Sequence, residues 1–363
     1  MSDTAAATPG LDKKKSIILG LLGLVVIVVI FVRVIPQIGS YSDALTSLRA
    51  MTPGALVGIV VSVLVYLAAY GFPFMAATPG LAYWRSQQLN QAAFAISNGV
   101  PAGGAFGLGV QYAMLASYGI EPTASTAAIT SVGVWSIFVT LGLPILGVVA
   151  IQLSGEAATS YVWPGVLGLL VLVVAIVGFA LIVRSESAAR HIGSAADWVI
   201  SPFARRFAKG REVDVVPAAL KFRSDIADLV TRRWSALTGA QLSVSVTQFL
   251  IFYVALRGVE GWGSAGTSLL VAFGAFAVAQ IGLMIPITPG GLGTVDAAMI
   301  AILTALGVDS GAATAADLVW RAASFVPPII IGVIALVTWS RKGAHALAER
   351  DATRHEGTGD ASS

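Results

Sequence analysis

Long apolar runs alternate with short polar segments along the 363-residue chain. A helix that spans a bilayer needs about 20 mostly apolar residues, because each residue advances it by only about 1.5 Å. The pattern therefore predicts an all-α, polytopic integral membrane protein. The runs that are clear candidates for spanning helices are 16–35, 55–77, 124–152, 162–183, 235–257 and 312–340.

Two further apolar regions, 84–118 and 264–306, are interrupted by proline and glycine. Proline removes a backbone donor and glycine weakens a helix, so each region is predicted to form two helices that meet at a tight, partly unwound tip. We call these regions the first and second hairpin; they are either re-entrant or cross the bilayer fully. The interrupting residues are Asn98, Gly99, Pro101, Gly103 and Gly104 in the first hairpin, and Pro286, Pro289, Gly290, Gly291 and Gly293 in the second.

The basic residues predict the orientation of these elements. Lys and Arg accumulate on the cytoplasmic side of membrane proteins. The triple lysine at 13–15 places the N-terminus there, and 184–234, which holds ten of the 22 Lys and Arg residues, follows on the same side. Both termini are then cytoplasmic. The length of 16–35 favours a retained anchor over a cleaved signal peptide.

The predicted organisation consists of two membrane halves joined by a basic segment. Apolar and basic side chains interleave within that segment, which predicts amphipathic helices lying on anionic inner-leaflet lipid; positive-inside bias alone is the alternative. Both ends of the chain are predicted to be disordered tails. The boundaries are 1–15 for the first tail, 16–183 for the first half, 184–234 for the basic loop, 235–340 for the second half and 341–363 for the last tail.

Composition agrees with a membrane protein and excludes several classes of function. Hydrophobic residues make up 56% of the chain and charged residues only 11%, with a mean hydropathy of +0.83. A soluble domain carries about a quarter charged residues, so soluble enzymes and nucleic-acid modules are excluded. The chain has no cysteine, and its three histidines are never paired at ligand spacing, so no metal site or cofactor is predicted.

An internal repeat is predicted by matches at one constant offset of 188 positions. Matched prolines and glycines in an ungapped register are hard to obtain by chance. In the predicted orientation the two hairpins open from opposite sides, which makes the repeat inverted, as in many transporters. The clearest matches are Pro101 with Pro289, Gly103 with Gly291, and Thr126-Ala127-Ala128 with Thr314-Ala315-Ala316.

The second tip, Pro286 to Thr294, is the sharpest candidate binding segment. A glycine-rich tip that opens a helix frees backbone N–H groups and directs the positive end of a helix dipole into the membrane. This arrangement suits a lipid phosphate. The first tip, Asn98 to Gly104, is a weaker counterpart. The alternative interpretation is that the prolines and glycines only permit a turn and tight packing.

Ionisable residues within predicted spans are few, and each charge there costs about 3 kcal/mol or more. Arg321 is a candidate headgroup or phosphate contact, and Asp296 is a candidate orienting or proton-coupling acid. Asp317 lies four residues before Arg321 on one helix face, so these two could instead form a structural ion pair. The offset of 188 aligns Asp296, Asp317 and Arg321 with Leu108, Ile129 and Gly133, which makes any charged site asymmetric.

Four polar side chains within apolar regions are candidates for lining a path through the membrane. They are equally interpretable as interhelical hydrogen bonds. These residues are Asn98, Gln111, Gln248 and Gln280.

A set of residues in the second half resembles the C-terminal signature of the lysylphosphatidylglycerol synthase transmembrane family. The set comprises Thr288 to Ala298, Leu303 to Gly307, Ala315, Leu318, Arg321, Pro327 or Pro328, and Gly332. Asn98, Pro101 and the following glycines are similar to the first-half signature of that family. The resemblance covers roughly 15–340. Two departures are Asp296, where the family usually has Glu, and Ala105-Phe106, where it commonly has Gly-Glu followed by Arg.

The resemblance implies the flippase-like membrane portion of multiple peptide resistance factor proteins, without their aminoacyltransferase domain. We therefore expect a lipid transporter that moves a phospholipid or other phosphate-bearing amphiphile between leaflets, with the tips and Arg321 holding the phosphate. One competing hypothesis is a membrane-embedded transferase, for which Asp214, Asp225 and Asp228 are the only loose acid candidates. Another is a subunit of an oligomer or of a separately encoded transferase.

Single cysteines at Ala102 and Gly291 test the inverted arrangement, because the chain has no native cysteine. We expect a membrane-impermeant thiol reagent to reach the two positions from opposite sides of the membrane. Labelling of both positions from one side would contradict the prediction.

Overall fold

The computed structural model describes residues 51–99, 103–155, 215–263, 266–284 and 289–359, together with a few isolated positions. The described residues form helices and turns without any strand, which confirms the all-α prediction. Two 3₁₀ turns, Gln280–Met284 and Pro289–Gly291, precede the helix that begins at Thr294. The helices are α1 (Pro53–Ala69), α2 (Phe72–Ala77), α3 (Tyr83–Gly99), α4 (Gly103–Ser117), α5 (Pro122–Ser154), α6 (Val215–Glu260), α7 (Leu269–Ala279), α8 (Thr294–Ala305) and α9 (Ser310–Gly359).

Four of the six predicted spans correspond to helices that are long and apolar enough to cross a membrane. These are Pro53–Ala77, Pro122–Ser154, Arg232–Glu260 and Ser310–Arg341. Their outward faces carry exposed leucines, valines and isoleucines, such as Leu64 and Val333. Such faces suit a lipid environment, where apolar side chains need no polar cover. The predicted spans 16–35 and 162–183 lie outside the described residues, apart from two isolated positions.

Two helices extend beyond the boundaries predicted from the sequence. α6 begins at Val215, so 215–234 continues into the membrane span and does not form a separate helix. α9 continues to Gly359, through most of the segment predicted to be a disordered tail. Alanine, glutamate and arginine are frequent there and favour a helix even without an apolar face. Hydropathy predicts the apolar part of each helix but does not predict how far its polar part extends.

Each predicted hairpin is a pair of helices that pack against one another, α3 with α4 and α7 with α8. Two glycines allow the first pair to pack closely. A Cβ on Gly103 would lie 2.1 Å from the carbonyl oxygen of Ile96, and one on Gly107 would lie 2.1 Å from the Ser97 hydroxyl. The backbone of α3 leaves no room for a Cβ at Gly103, and a Cβ at Gly107 would displace the Ser97 side chain. The re-entrant or fully crossing depth of the hairpins stays a prediction.

α3 is a polar helix whose side chains donate hydrogen bonds to backbone carbonyls at the C-terminal end of α1 and in the bend that follows it. The chain bends between α1 and α2, where Pro73 has no N–H to continue the backbone ladder. Carbonyls left open inside a membrane protein require other donors. The donors and their acceptors are Tyr83 Oη to Ala68 at 2.8 Å, Ser86 Oγ to Gly71 at 2.5 Å, Gln87 Nε2 to Leu67 at 2.5 Å and Asn90 Nδ2 to Tyr70 at 2.6 Å.

Helices of the two halves are interleaved around α6, which contacts α1, α2, α5, α7 and α9. α3 packs along α9, and α7 packs along α5. Both contacts depend on glycine. A Cβ on Gly332 would lie 2.1 Å from the carbonyl oxygen of Gln91, and one on Gly147 would lie 2.9 Å from that of Gly274. Each hairpin therefore packs against a helix of the opposite half, the first against α9 and the second against α5.

The close approach of α3 and α9 predicts opposite effects for two glycine substitutions. Gly332→Ala forces the helices apart and should lower stability by about 1 to 3 kcal/mol, as overpacking does. Gly239→Ala places the same methyl group in open space on α6 and should have no such cost. The melting temperatures in detergent measure both effects. An unchanged melting temperature for Gly332→Ala would contradict the tight contact.

Candidate functional site

The second tip is built from glycines in left-handed backbone conformations. Gly290, Gly291 and Gly293 have φ angles of 61°, 67° and 87°, which side chains with a Cβ rarely adopt. They turn the chain from the 3₁₀ segment into α8. Thr294 fixes the turn, because its hydroxyl lies 3.1 Å from the carbonyl oxygen of Gly291 and 3.0 Å from that of Gly282.

Asp296 occupies the N-terminus of α8. Its carboxylate accepts a hydrogen bond from the Gly293 N–H at 2.5 Å, and its side chain is 1% exposed. A carboxylate in the first turn is stabilised by the positive end of the helix dipole. The anion-binding position predicted at this helix end is thus filled by an anion of the chain itself.

Arg321 on α9 ties the tip to the bundle. Its Nε donates to the Asp296 carboxylate, Nη1 donates to Gly290 O at 3.1 Å, and Nη2 donates to Gly291 O at 3.2 Å. The guanidinium carbon lies 4.5 Å from the ring centre of Trp320 and 5.3 Å from that of Phe325. Arg321 is 2% exposed. The planar fork of arginine explains how one side chain holds three acceptors.

This geometry corrects the alternative interpretation in which Asp317 and Arg321 form a structural ion pair. Arg321 pairs with Asp296 instead. Asp317 is fully buried and interacts electrostatically with both residues, but neither of its carboxyl oxygens has a hydrogen-bond partner among the described residues. The spacing of four residues shows only that Asp317 and Arg321 share a helix face. In the fold, the second tip places the Asp296 carboxylate against the Arg321 guanidinium.

The first tip reaches the second one through Asn98. The Nδ2 of Asn98 donates to Phe94 O at 3.1 Å, and a Cβ on Gly290 would lie 2.9 Å from the Asn98 Oδ1. Gly103 is buried against α3, whereas a Cβ on Gly104 would meet nothing. Pro101 lies outside the described residues, and the side chain of Pro289 is likewise not described. Substrate binding by all of these residues stays a prediction.

A cavity of about 390 Å³ lies between α3, α4, α5 and α6 and the 3₁₀ turn after α7. Amides and hydroxyls dominate its polar lining, and none of its described lining residues is Asp, Glu, Lys, Arg or His. The polar residues are Tyr70, Asn90, Gln111, Ser136, Thr140, Gln241, Ser245, Gln248 and Gln280. An uncharged chamber whose lining is about half polar therefore lies within the helix bundle.

Three of the four path candidates from the sequence, Gln111, Gln248 and Gln280, line this cavity. The fourth, Asn98, lies at the tips. The sequence did not single out Asn90 or Gln241, because each looks like an ordinary polar residue on its own helix. The predicted repeat offered one signal for the position of the cavity. Leu108, Ile129 and Gly133, which the predicted repeat aligns with Asp296, Asp317 and Arg321, also line the cavity.

A family model for the lysylphosphatidylglycerol synthase TM region matches residues 19–332. The chain belongs to this family. No curated protein matches the chain. Members of the lysylphosphatidylglycerol synthase TM family are membrane-embedded and lipid-related, in agreement with the apolar helices described above. The matched range contains both tips, the Arg321 network and the cavity.

The Arg321 network predicts that two isosteric substitutions differ in effect. Asp296→Asn leaves a buried guanidinium without its partner and should lower stability by about 3 to 5 kcal/mol. Asp317→Asn removes a buried carboxyl that makes no hydrogen bond with the described chain, so it should leave stability nearly unchanged. Thermal unfolding in detergent compares the two variants. Equal destabilisation would show that Asp317 shares the ion pair.

Proposed function

We propose that the protein is a flippase-like lipid transporter that moves a phospholipid, or another phosphate-bearing amphiphile, between the leaflets of the cytoplasmic membrane. The observation that carries this proposal is the uncharged polar cavity inside the bundle. A lipid headgroup that crosses a bilayer needs polar groups at membrane depth to replace water. The family match supports a lipid as the substrate.

The arrangement of helices around the cavity also supports transport. α4 and α5 come from the predicted first half, and α6 and the turn after α7 come from the second. Transporters built from inverted repeats bind substrate where the repeats meet and alternate access by rocking one part against the other. Each hairpin packs tightly against a helix of the opposite half. This packing suits such a motion, because a hairpin and the helix it packs against can move together as one rigid body.

The second tip has a supporting role in this proposal. Three of the five N–H donors of Arg321 are used by Asp296 and the tip carbonyls. Arg321 therefore acts first as a positioning residue that keeps the tip shaped, and a phosphate contact uses its remaining donors. The basic distribution supports cytoplasmic termini in this account.

Leaflet exchange in proteoliposomes tests the proposal. Vesicles contain an acyl-labelled fluorescent phosphatidylglycerol, and dithionite bleaches only the outer leaflet. Gly133→Leu places a branched side chain at the wall of the cavity without a backbone clash, because a Cβ on this glycine meets no atom within 4 Å. We expect protein-dependent exchange with the intact chain and a return to the rate of protein-free vesicles with Gly133→Leu.

Gly239→Leu is the matched control. Gly239 is also helical, exposed and free of neighbours within 4 Å of an added Cβ, but it does not line the cavity. This variant should exchange lipid at the rate of the intact protein. Exchange that survives Gly133→Leu would exclude the cavity as the path, and exchange that is absent with the intact protein would contradict transport of this lipid.

A further inference from the structure

Three amide side chains around the cavity use their N–H donors in hydrogen bonds within the protein. Asn90 Nδ2 donates to Tyr70 O at 2.6 Å, Gln241 Nε2 donates to Val132 O at 3.0 Å, and Gln248 Nε2 donates to Tyr66 Oη at 3.0 Å. Their amide oxygens accept no hydrogen bond from the described part of the chain. The cavity therefore offers several acceptors to whatever enters it.

Gln280 supplies an unused donor at the same place. Its side chain is 5% exposed and lines the cavity, and its Nε2 has no hydrogen-bond partner among the described residues. A buried amide donor without a partner costs about 1 to 3 kcal/mol, so its persistence calls for a ligand or an ordered water. The ligand must accept from Gln280 and donate to the other amides.

The absence of ionisable side chains other than Tyr70 from the described lining limits the charge of that ligand. An ammonium or a phosphate placed in the cavity would be desolvated without a counter-charge, which is strongly unfavourable. A hydroxyl both donates and accepts and carries no charge. The volume of about 390 Å³ falls within the usual range of small-molecule pockets, so it suits one headgroup.

We infer that this cavity binds the uncharged, hydroxyl-bearing part of a lipid headgroup, a glycerol or sugar moiety, while the phosphate and acyl chains stay outside it. This inference rests on the proposed transport function and adds the substrate class. It assigns recognition to Gln280 and the acceptor amides rather than to the charged network at the second tip.

The test compares acyl-labelled phosphatidylglycerol with acyl-labelled phosphatidylmethanol in the dithionite assay. Both lipids carry one phosphate charge, but only the first has headgroup hydroxyls. We expect the intact protein to exchange phosphatidylglycerol about tenfold faster, the factor that one or two well-placed hydrogen bonds supply. Gln280→Met keeps the volume of the side chain and removes its amide. It should lower phosphatidylglycerol exchange towards the phosphatidylmethanol rate without changing the latter.

The outcomes separate the substrate class from transport itself. Equal exchange of the two lipids by the intact protein would overturn the hydroxyl assignment and leave transport standing. If neither lipid exchanges, native mass spectrometry of the detergent-solubilised full chain decides. Selective retention of phosphatidylglycerol, lost in Gln280→Met, would support the binding site and contradict transport, whereas equal retention of the two lipids would overturn the binding site as well.

Discussion

One buried guanidinium determines the shape of the second tip. The tip glycines adopt left-handed conformations that leave two carbonyls directed towards the bundle, and Arg321 donates to both of them and to Asp296. Inside a membrane no water is available to donate hydrogen bonds to these acceptors. Asp296 in turn closes the N-terminus of α8 through the Gly293 N–H. A single long side chain from α9 thus satisfies both tip carbonyls and neutralises Asp296, and the Thr294 hydroxyl supports the same turn.

The same network distinguishes the two halves of the predicted repeat. At the positions that the predicted repeat aligns with Asp296, Asp317 and Arg321, the first half has Leu108, Ile129 and Gly133. No long side chain projects from Gly133, and the space beside it is the cavity. The second half fills its corresponding region with its own charges. The charged network belongs to the second half and the uncharged cavity lies beside Gly133 in the first. In the proposed function this cavity receives the headgroup.

Much of the fold follows from the length of apolar runs and the placement of proline and glycine, which predict four described spans and both helix breaks. Charge at membrane depth also identifies the residues of the tip network. Their partners do not follow, because pairing depends on how the tip folds back on α9. The spacing along one helix indicates Asp317 as the partner of Arg321, and only the fold shows Asp296 in that place. The polar side chains of α3 show a similar limit. Gln87 and Asn90 satisfy backbone carbonyls of a neighbouring bend, and only the packing of α3 reveals those carbonyls.

Photo-crosslinking tests most directly the claim that the cavity, and not the charged tip, receives the headgroup. A phosphatidylglycerol analogue with a diazirine on its headgroup glycerol is reconstituted with the full chain, irradiated, and its adducts are mapped by mass spectrometry. The account predicts adducts on the residues of α4, α5 and α6 that surround Gly133. Adducts confined to the segment from Gly290 to Asp296 and to Arg321 would contradict it, because the headgroup would then bind at the charged tip and not in the cavity.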